Sequence, residues 1–387
     1  MKILALLLLI ASPVLAAESP GLTVTVANPT AAARPAETIT LSRAEITRAA
    51  PGLDLTKTVV VDAHGAPVLS QLADSDGDDA PDQLLFQADL GPRESKTFEL
   101  RAGTRAPAAA ADYKAYGRFV RERHDDFAWE NDRIAHRMYG PDLETAKKEP
   151  LVSSGIDVWV KRVPTLIVNE WYMTDDYHQD HGQGADFYSV GKSRGCGGLG
   201  VWSGDKLAVS RNFTDSRVLA NGPIRLVFEL RYAPWDAGGG GARVAETKRV
   251  TLDAGSQFNR FESTFTDIAP ATPIAIGIAN HPGGDVKVDA KAGFMRAWEP
   301  AAGGAGGNIG CAIILAPGGN IMGEHHLEGD HLIVTRVPRS GPLVYYVGTA
   351  WDRGGRIPNA AAWQKETADL AARLKTPVKV TLGARTH

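Results

Sequence analysis

The chain has 387 residues, 43% of them hydrophobic and 7% aromatic, with 41 glycines and 23 prolines. That length allows one large or two unequal domains with a substantial core, and the Gly and Pro content is turn-rich but far from collagen-like or low-complexity. Its 42 Lys and Arg against 45 Asp and Glu give a net charge of −3, which excludes the basic field that nucleic acid or anionic lipid would require.

Residues 1–17 read as a signal peptide. Lys2 precedes the apolar run Ile3 to Ile10, and Val14-Leu15-Ala16 supplies small residues before a cleavage site. The run is too short to span a bilayer, no later stretch is long enough, and no Cys follows it to carry a lipid. The expectation is a periplasmic or secreted protein without a membrane anchor, starting near Ala17 or Glu18.

Residues 18–106 show short alternating runs: Leu22 to Val26, Thr38 to Leu41, Val59 to Val61, Leu84 to Phe86 and Thr97 to Leu100, separated by turns such as His64-Gly65 and Gly91-Pro92. Period-two alternation at this spacing predicts a small antiparallel β-sandwich. Gly103 to Asp112, rich in Ala and Pro, reads as a linker. From residue 107 to 387 the alternating runs lengthen, among them Arg118 to Arg121, Ile156 to Val160, Ile224 to Leu230, Glu246 to Leu252, Phe258 to Phe265 and Leu343 to Val347. Only Asp142 to Glu149 and Ala360 to Leu374 look helical, and Val378 to Leu382 would be a closing strand. An all-β chain with a second, large antiparallel sandwich follows.

Two polar clusters carry candidate chemistry. In the first, Arg121 to Tyr139, strand alternation places Trp129, Asn131 and Arg133 on one face and Glu130, Asp132 and Ile134 on the other. Trp, Asn and Arg suit a sugar: the indole stacks on C–H faces while amide and guanidinium bind hydroxyls and carboxylates. The alternative is a solvated strand with cross-strand ion pairs. The second cluster, Asp175 to Lys192, sets Tyr177, His178, Asp180, His181, Asp186, Tyr188 and Lys192 among glycines 182, 184 and 191. This predicts a loop with titratable side chains, where His can act as acid or base. His178, Asp180 and His181 also offer metal donors, though at no standard zinc spacing, and a merely solvated polar loop stays open. His281 emerges at a strand end before Pro282-Gly-Gly284, while the adjacent His325 and His326 would point to opposite faces. Asp74, Asp76, Asp78 and Asp82 have the alternate spacing of a calcium loop but lack its bidentate Glu, so Ca²⁺ and a plain acidic turn both remain open. Cys196 and Cys311 could pair in an oxidising compartment or remain two buried thiols.

The stretches Phe127 to Gly140, Tyr177 to Tyr188 and Asn221 to Arg225, with the acidic hairpin 74–82 and the tail 351–382, resemble the secreted bacterial family of domain of unknown function 4861. The resemblance implies a β-supersandwich related to galactose mutarotase and polysaccharide lyases, and a place in polysaccharide utilisation. It also implies, from one member type, an oligosaccharide dehydratase acting on ulvan fragments. The residue roles come from chemistry alone. A hydro-lyase that forms a 4,5-unsaturated uronyl end needs a cation on the carboxylate, a base for the C5 proton and an acid for the departing hydroxyl. Arg133 or Arg137 would be the cation, and His178, His181 and Tyr188 the proton carriers. Trp129, Asn131, Arg137, Lys192 and His281 would bind the uronate-containing oligosaccharide, with no cofactor required. A polysaccharide lyase would use the same parts. A glycoside hydrolase would use two of Glu130, Asp132, Asp180 and Asp186. An epimerase or a non-catalytic sugar-binding protein completes the alternatives.

Overall fold

The computed structural model describes residues 21–148, 150–174, 176–238, 243–302 and 306–384. The signal-peptide segment, Glu149 and Asp175 therefore lie outside the described residues.

The chain is all-β, with a small sandwich and a supersandwich. In the small sandwich a five-stranded sheet faces the three-stranded sheet of Arg34–Ser42, Gln83–Leu90 and Ser70–Ala73. Alternation buries Leu22, Val24 and Val26 of Gly21–Ala27 against Ile39, Leu41, Leu84 and Phe86. The strand Lys379–Ala384, expected to close the large unit, instead pairs antiparallel with Gly21–Ala27, and Leu382 packs on the small core. Its sequence signal is a strand, but alternation does not name its partner.

The supersandwich opposes an eight-stranded antiparallel sheet to two five-stranded ones. One of the two runs Gly184–Asp186, Asp157–Lys161, Ala135–Met138, Asp126–Asn131 and Ala115–Val120. It is joined to the other five-stranded sheet through the parallel bridge of Ile156 and Gly195. A single core fills the space between the layers, in which Phe127 stacks on Phe228 at 4.1 Å. Cys196 and Cys311 enter this core from facing sheets as buried free thiols. The small sandwich docks through Gln71, whose amide accepts from the Ile224 and Arg225 N–H groups and donates to the Arg225 carbonyl.

The helix Ala360–Lys375 forms where expected, capped by Asn359, with Trp363 stacked on Phe258. Asp142 to Glu149 is shorter than expected, a 3₁₀ turn over Pro141–Thr145. Two helices were not expected. Arg43–Ala49 starts at a capping box, Ser42 with Glu45, a signal present in the sequence. Val168–Thr174 has no such box; the Glu130 carboxylate accepts from its Val168 N–H at 2.7 Å.

That helix decides which side of the first five-stranded sheet matters. The strand Asp126–Asn131 turns Phe127, Trp129 and Asn131 into the sandwich and Asp126, Ala128 and Glu130 outward. Trp129 donates to Asn259 at 2.8 Å and is fully buried. Asn131 donates to the Asp253 and Ser256 carbonyls and accepts from the Arg133 and Ile134 N–H groups. Neither is a sugar platform: both are closed off by the core and by their own hydrogen bonds. Replacing Asn131 with Ala strands two carbonyls and two N–H groups, so urea denaturation should show a loss of about 2–4 kcal/mol.

Candidate functional site

The outward face of this sheet carries Asp126, Glu130, Arg137, Asp157, Trp159, Lys161 and Asp186, and register aligns them: Arg137 opposes Asp157, and Trp159 opposes Asp186. Burial forces these charges to pair. Arg137 donates to Asp157 at 2.5 and 2.9 Å and to Asp186 at 3.1 Å, with Asp126 at 3.7 Å. Its guanidinium lies over Trp159, Tyr139 and Tyr177. Lys161 is taken up separately, by Glu130 at 2.5 Å and by the Asn131 and Thr165 carbonyls. Trp171 and Tyr172 of the helix and Tyr177 after it cover the face by packing on Trp159.

Beyond this cover the sheet opens into a pocket of about 450 Å³. Arg123, Asp126, Arg137, Tyr139, His178, Asp186 and Tyr188 supply its polar lining, with Leu143, Leu151, Phe187 and Val190 between them. The chain is tight here: a Cβ at Gly140 would lie 1.7 Å from the Asp125 carbonyl oxygen, so only Gly lets strand 135–138 leave past the turn before Asp126. In that turn His124 and Asp125 both take left-handed backbone, with φ of 52° and 62°.

Burial raises the Asp126 carboxyl to about 7 despite the attraction of Arg137. Asp186 is pushed well above the usual carboxylate range by burial and then by Asp157. Burial likewise keeps the Tyr139 and Tyr188 phenols protonated. Tyr188 is buried, and its hydroxyl lies against the Cys311 thiol in the core. Arg123 stands at the edge, donating through Nε to the Tyr177 hydroxyl at 2.6 Å, and none of its other guanidinium N–H groups has a hydrogen bond among the described residues. His178 is 66% exposed, with Nδ1 3.6 Å from Asp186 Oδ2.

The pocket thus unites His178, Tyr188 and Arg137, but Arg137 is consumed by carboxylates. His281 stands behind Tyr188, edge-on at 4.9 Å. Its Nδ1 meets Glu299 at 2.8 Å and its Nε2 the Ser189 carbonyl at 2.6 Å, so both nitrogens face acceptors, an arrangement that favours the charged ring. Burial opposes that charge, but Glu299 outweighs it. His181 is 63% exposed and paired with Asp176, outside the pocket lining. Lys192 is exposed and also outside the lining. Arg133 sits in the turn after Asn131 and lines a different pocket. Trp129, Asn131 and Arg133 thus do not line the pocket that His178 and Tyr188 line. Asp126, Tyr139 and Arg123 were missed, although the alternation that buried Trp129 also placed Asp126 opposite it.

In the acidic turn, Asp74, Asp76 and Asp78 hold carboxylate oxygens within 4.8 Å of one another. They accept backbone N–H groups of Gly77, Asp79, Asp78 and Ala80. Asp82 is outside that group: it accepts from the Ser75 N–H and hydroxyl instead.

Asp126 makes stability depend on pH. Folded, it holds the proton that the unfolded chain releases near 3.8, so its stabilising contribution is complete below that pH and is lost as pH rises through about 7. Urea titrations of the native chain should therefore slope downward over this window. Asp126→Asn should remove that component, whereas superimposable profiles would show that Asp126 ionises normally.

Residues 26–380 match the family described as domain of unknown function (DUF4861). A Formosa agariphila protein described as uncharacterized protein P7 is 34% identical over 334 residues, 83% of each chain. Among solved structures, an alpha-mannosidase from Enterococcus faecalis V583 superimposes with a TM-score of 0.52 at 10% identity, over 95% of this chain and 46% of that one. An Enterococcus faecalis protein in glycosyl hydrolase family 38 does so with a TM-score of 0.54 at 10% identity, over 95% and 48%. The chain spans a little under half the length of these two proteins, and the likeness is one of fold. The match over residues 26–380 makes this chain a member of the DUF4861 family.

Proposed function

We propose that the chain is a carbohydrate-active enzyme, and specifically a hydro-lyase that removes water from the non-reducing-end uronic acid of oligosaccharides. The observation that carries the reading is a pair of buried carboxyls, Asp126 and Asp186, held proton-rich beside a cation with unused donors, Arg123, in one open pocket. The fold shared with glycoside-cleaving enzymes supports a sugar substrate, and the leader expected at residues 1–17 supports work outside the cytoplasm.

In this reading Arg123 binds the uronate carboxylate and stabilises the charge that develops when the C5 proton leaves. His178, whose Nε2 has no hydrogen bond among the described residues, takes that proton. Protonated Asp186 gives its own to the C4 hydroxyl, which departs as water while the electron pair of the C5–H bond becomes the new double bond. Tyr188 remains a phenol whose buried hydroxyl faces the core beside Cys311, so it bounds the pocket through its ring and takes no part in the proton transfers. Arg137 acts indirectly, by fixing Asp186 against Asp157. The cation role moves from Arg133 or Arg137 to Arg123, and His181 drops out of the proton relay.

Mass spectrometry of uronate oligosaccharides incubated with the full chain tests this. Loss of one water with new ultraviolet absorbance is expected, and Asp186→Asn or His178→Ala should each lower turnover about 10²–10⁴-fold. Arg123→Lys should also be strongly impaired, since an ammonium does not reproduce a planar fork. A second reading, glycoside hydrolysis by Asp126 and Asp186, follows from the same two carboxyls; new reducing ends without loss of water would establish it. Unchanged substrate with retained binding would leave a sugar-binding protein.

A further inference from the structure

A second pocket, of about 190 Å³, opens where the end of strand Asp157–Lys161 and the turn at Arg133 meet the eight-stranded sheet, lined by Arg133, Lys161, Arg162, Gln257, Trp351 and Arg356 among others. It adjoins the first. Trp351 packs at 5.8 Å on Phe187, which lines the reaction pocket, and Arg162 lies 4.5 Å over the Trp351 ring. Arg162 is itself held at 2.5 Å by Asp180, from the loop that carries His178.

The cations here are of two kinds. Lys161 and Arg162 are matched at hydrogen-bond distance by Glu130 and Asp180. Arg133 and Arg356 are not: their nearest carboxylates, Asp132 and Glu366, lie at 3.4 and 3.9 Å, and neither guanidinium makes a hydrogen bond among the described residues. Two buried neighbours are also incomplete, Trp351 at Nε1 and Gln257 at Oε1. An indole beside two guanidiniums with unused donors is complementary to a ring with an apolar face and an anionic substituent. The volume is below the ~300–1,000 Å³ of drug-sized sites, which fits one sugar unit and not a chain.

We propose that this pocket is a subsite for an anionic sugar unit, carboxylated or sulfated, of the oligosaccharide whose end occupies the reaction pocket. Arg133 and Arg356 hold its charge and Trp351 bounds its ring. The proposal rests on reading the first pocket as a carbohydrate site.

Calorimetry on the full chain tests it with tetragalacturonate, its carboxyl-reduced counterpart, and that reduced sugar bearing sulfate esters. An anionic tetrasaccharide should bind, and Arg133→Gln and Arg356→Gln should each weaken it about 10–100-fold while leaving the weaker binding of the reduced sugar unchanged. Loss confined to the carboxylated or to the sulfated probe identifies the group recognised. Asp186→Asn should retain this binding. Thermal melting checks folding, and Arg356→Lys offers a milder change at the same position. Full affinity in both Gln variants, with loss only in Arg123→Gln, would overturn the subsite and leave the proposed function standing. Binding sensitive to Arg133 and Arg356 without any conversion of substrate would do the reverse. No binding of either anionic sugar by the native chain would overturn both.

Discussion

A single buried guanidinium organises the outward face of the first five-stranded sheet. Arg137 gathers Asp157, Asp186 and Asp126 from three different strands, and three aromatic rings enclose it. Three carboxylates around one cation cannot all stay ionised in a dry site, because the desolvation and mutual repulsion of the two extra charges exceed what one guanidinium returns. The proton therefore settles on the carboxyls with the weakest hold on Arg137, namely Asp126 and Asp186, while Asp157 takes its two shortest hydrogen bonds. The acid character of the pocket thus follows from the count of charges around Arg137 and not from any unusual residue.

The same constraint explains the cover. A sheet face with seven polar or aromatic side chains must be sheltered for such ion pairs to persist. The helix Val168–Thr174 shelters it over Trp159 and Lys161, starting where Glu130 caps it. Cover stops short of Asp126 and Asp186. Where it stops, the pocket begins, so helix and pocket are two parts of one solution to burying this face.

This is also where sequence reading and structure part. Alternation identified many strands of both sandwiches but not Cys196–Ser203 or Phe294–Pro300, and the spacing from Ala360 with Asn359 before it identified the long helix. Along Asp126–Asn131 alternation separated two faces correctly, but both bear polar groups, and Trp129 drew attention to the wrong one. Trp129 and Asn131 could be recognised as core only once Asn259, Asp253 and Ser256 were seen opposite them. Those partners are more than a hundred residues away. The helix Val168–Thr174 was invisible for a related reason, since its N-terminal partner is Glu130 and not a local capping residue. The His178 loop, by contrast, was legible, because glycines spaced among titratable side chains mark a loop whatever it packs against. His178 and Tyr188 reached the pocket, while His181 lies one turn too far along.

What distinguishes the residues that build this face from those offered to a ligand is charge compensation. Arg137, Lys161 and Arg162 are each matched by a carboxylate at hydrogen-bond distance, and removing one of them would leave an unpaired acid behind, a structural penalty. Arg123, Arg133 and Arg356 have no carboxylate that close. A guanidinium costs side-chain entropy and desolvation to hold at a pocket wall, and where its donors are left unused an incoming anion supplies the return. Arg123 stands at one pocket, Arg133 and Arg356 at the other, with Phe187 and Trp351 between them. Two cationic positions separated by an aromatic wall are the arrangement that an oligosaccharide bearing charges on more than one unit would complement. On that ground the proposed subsite and the proposed reaction pocket would be parts of one extended site.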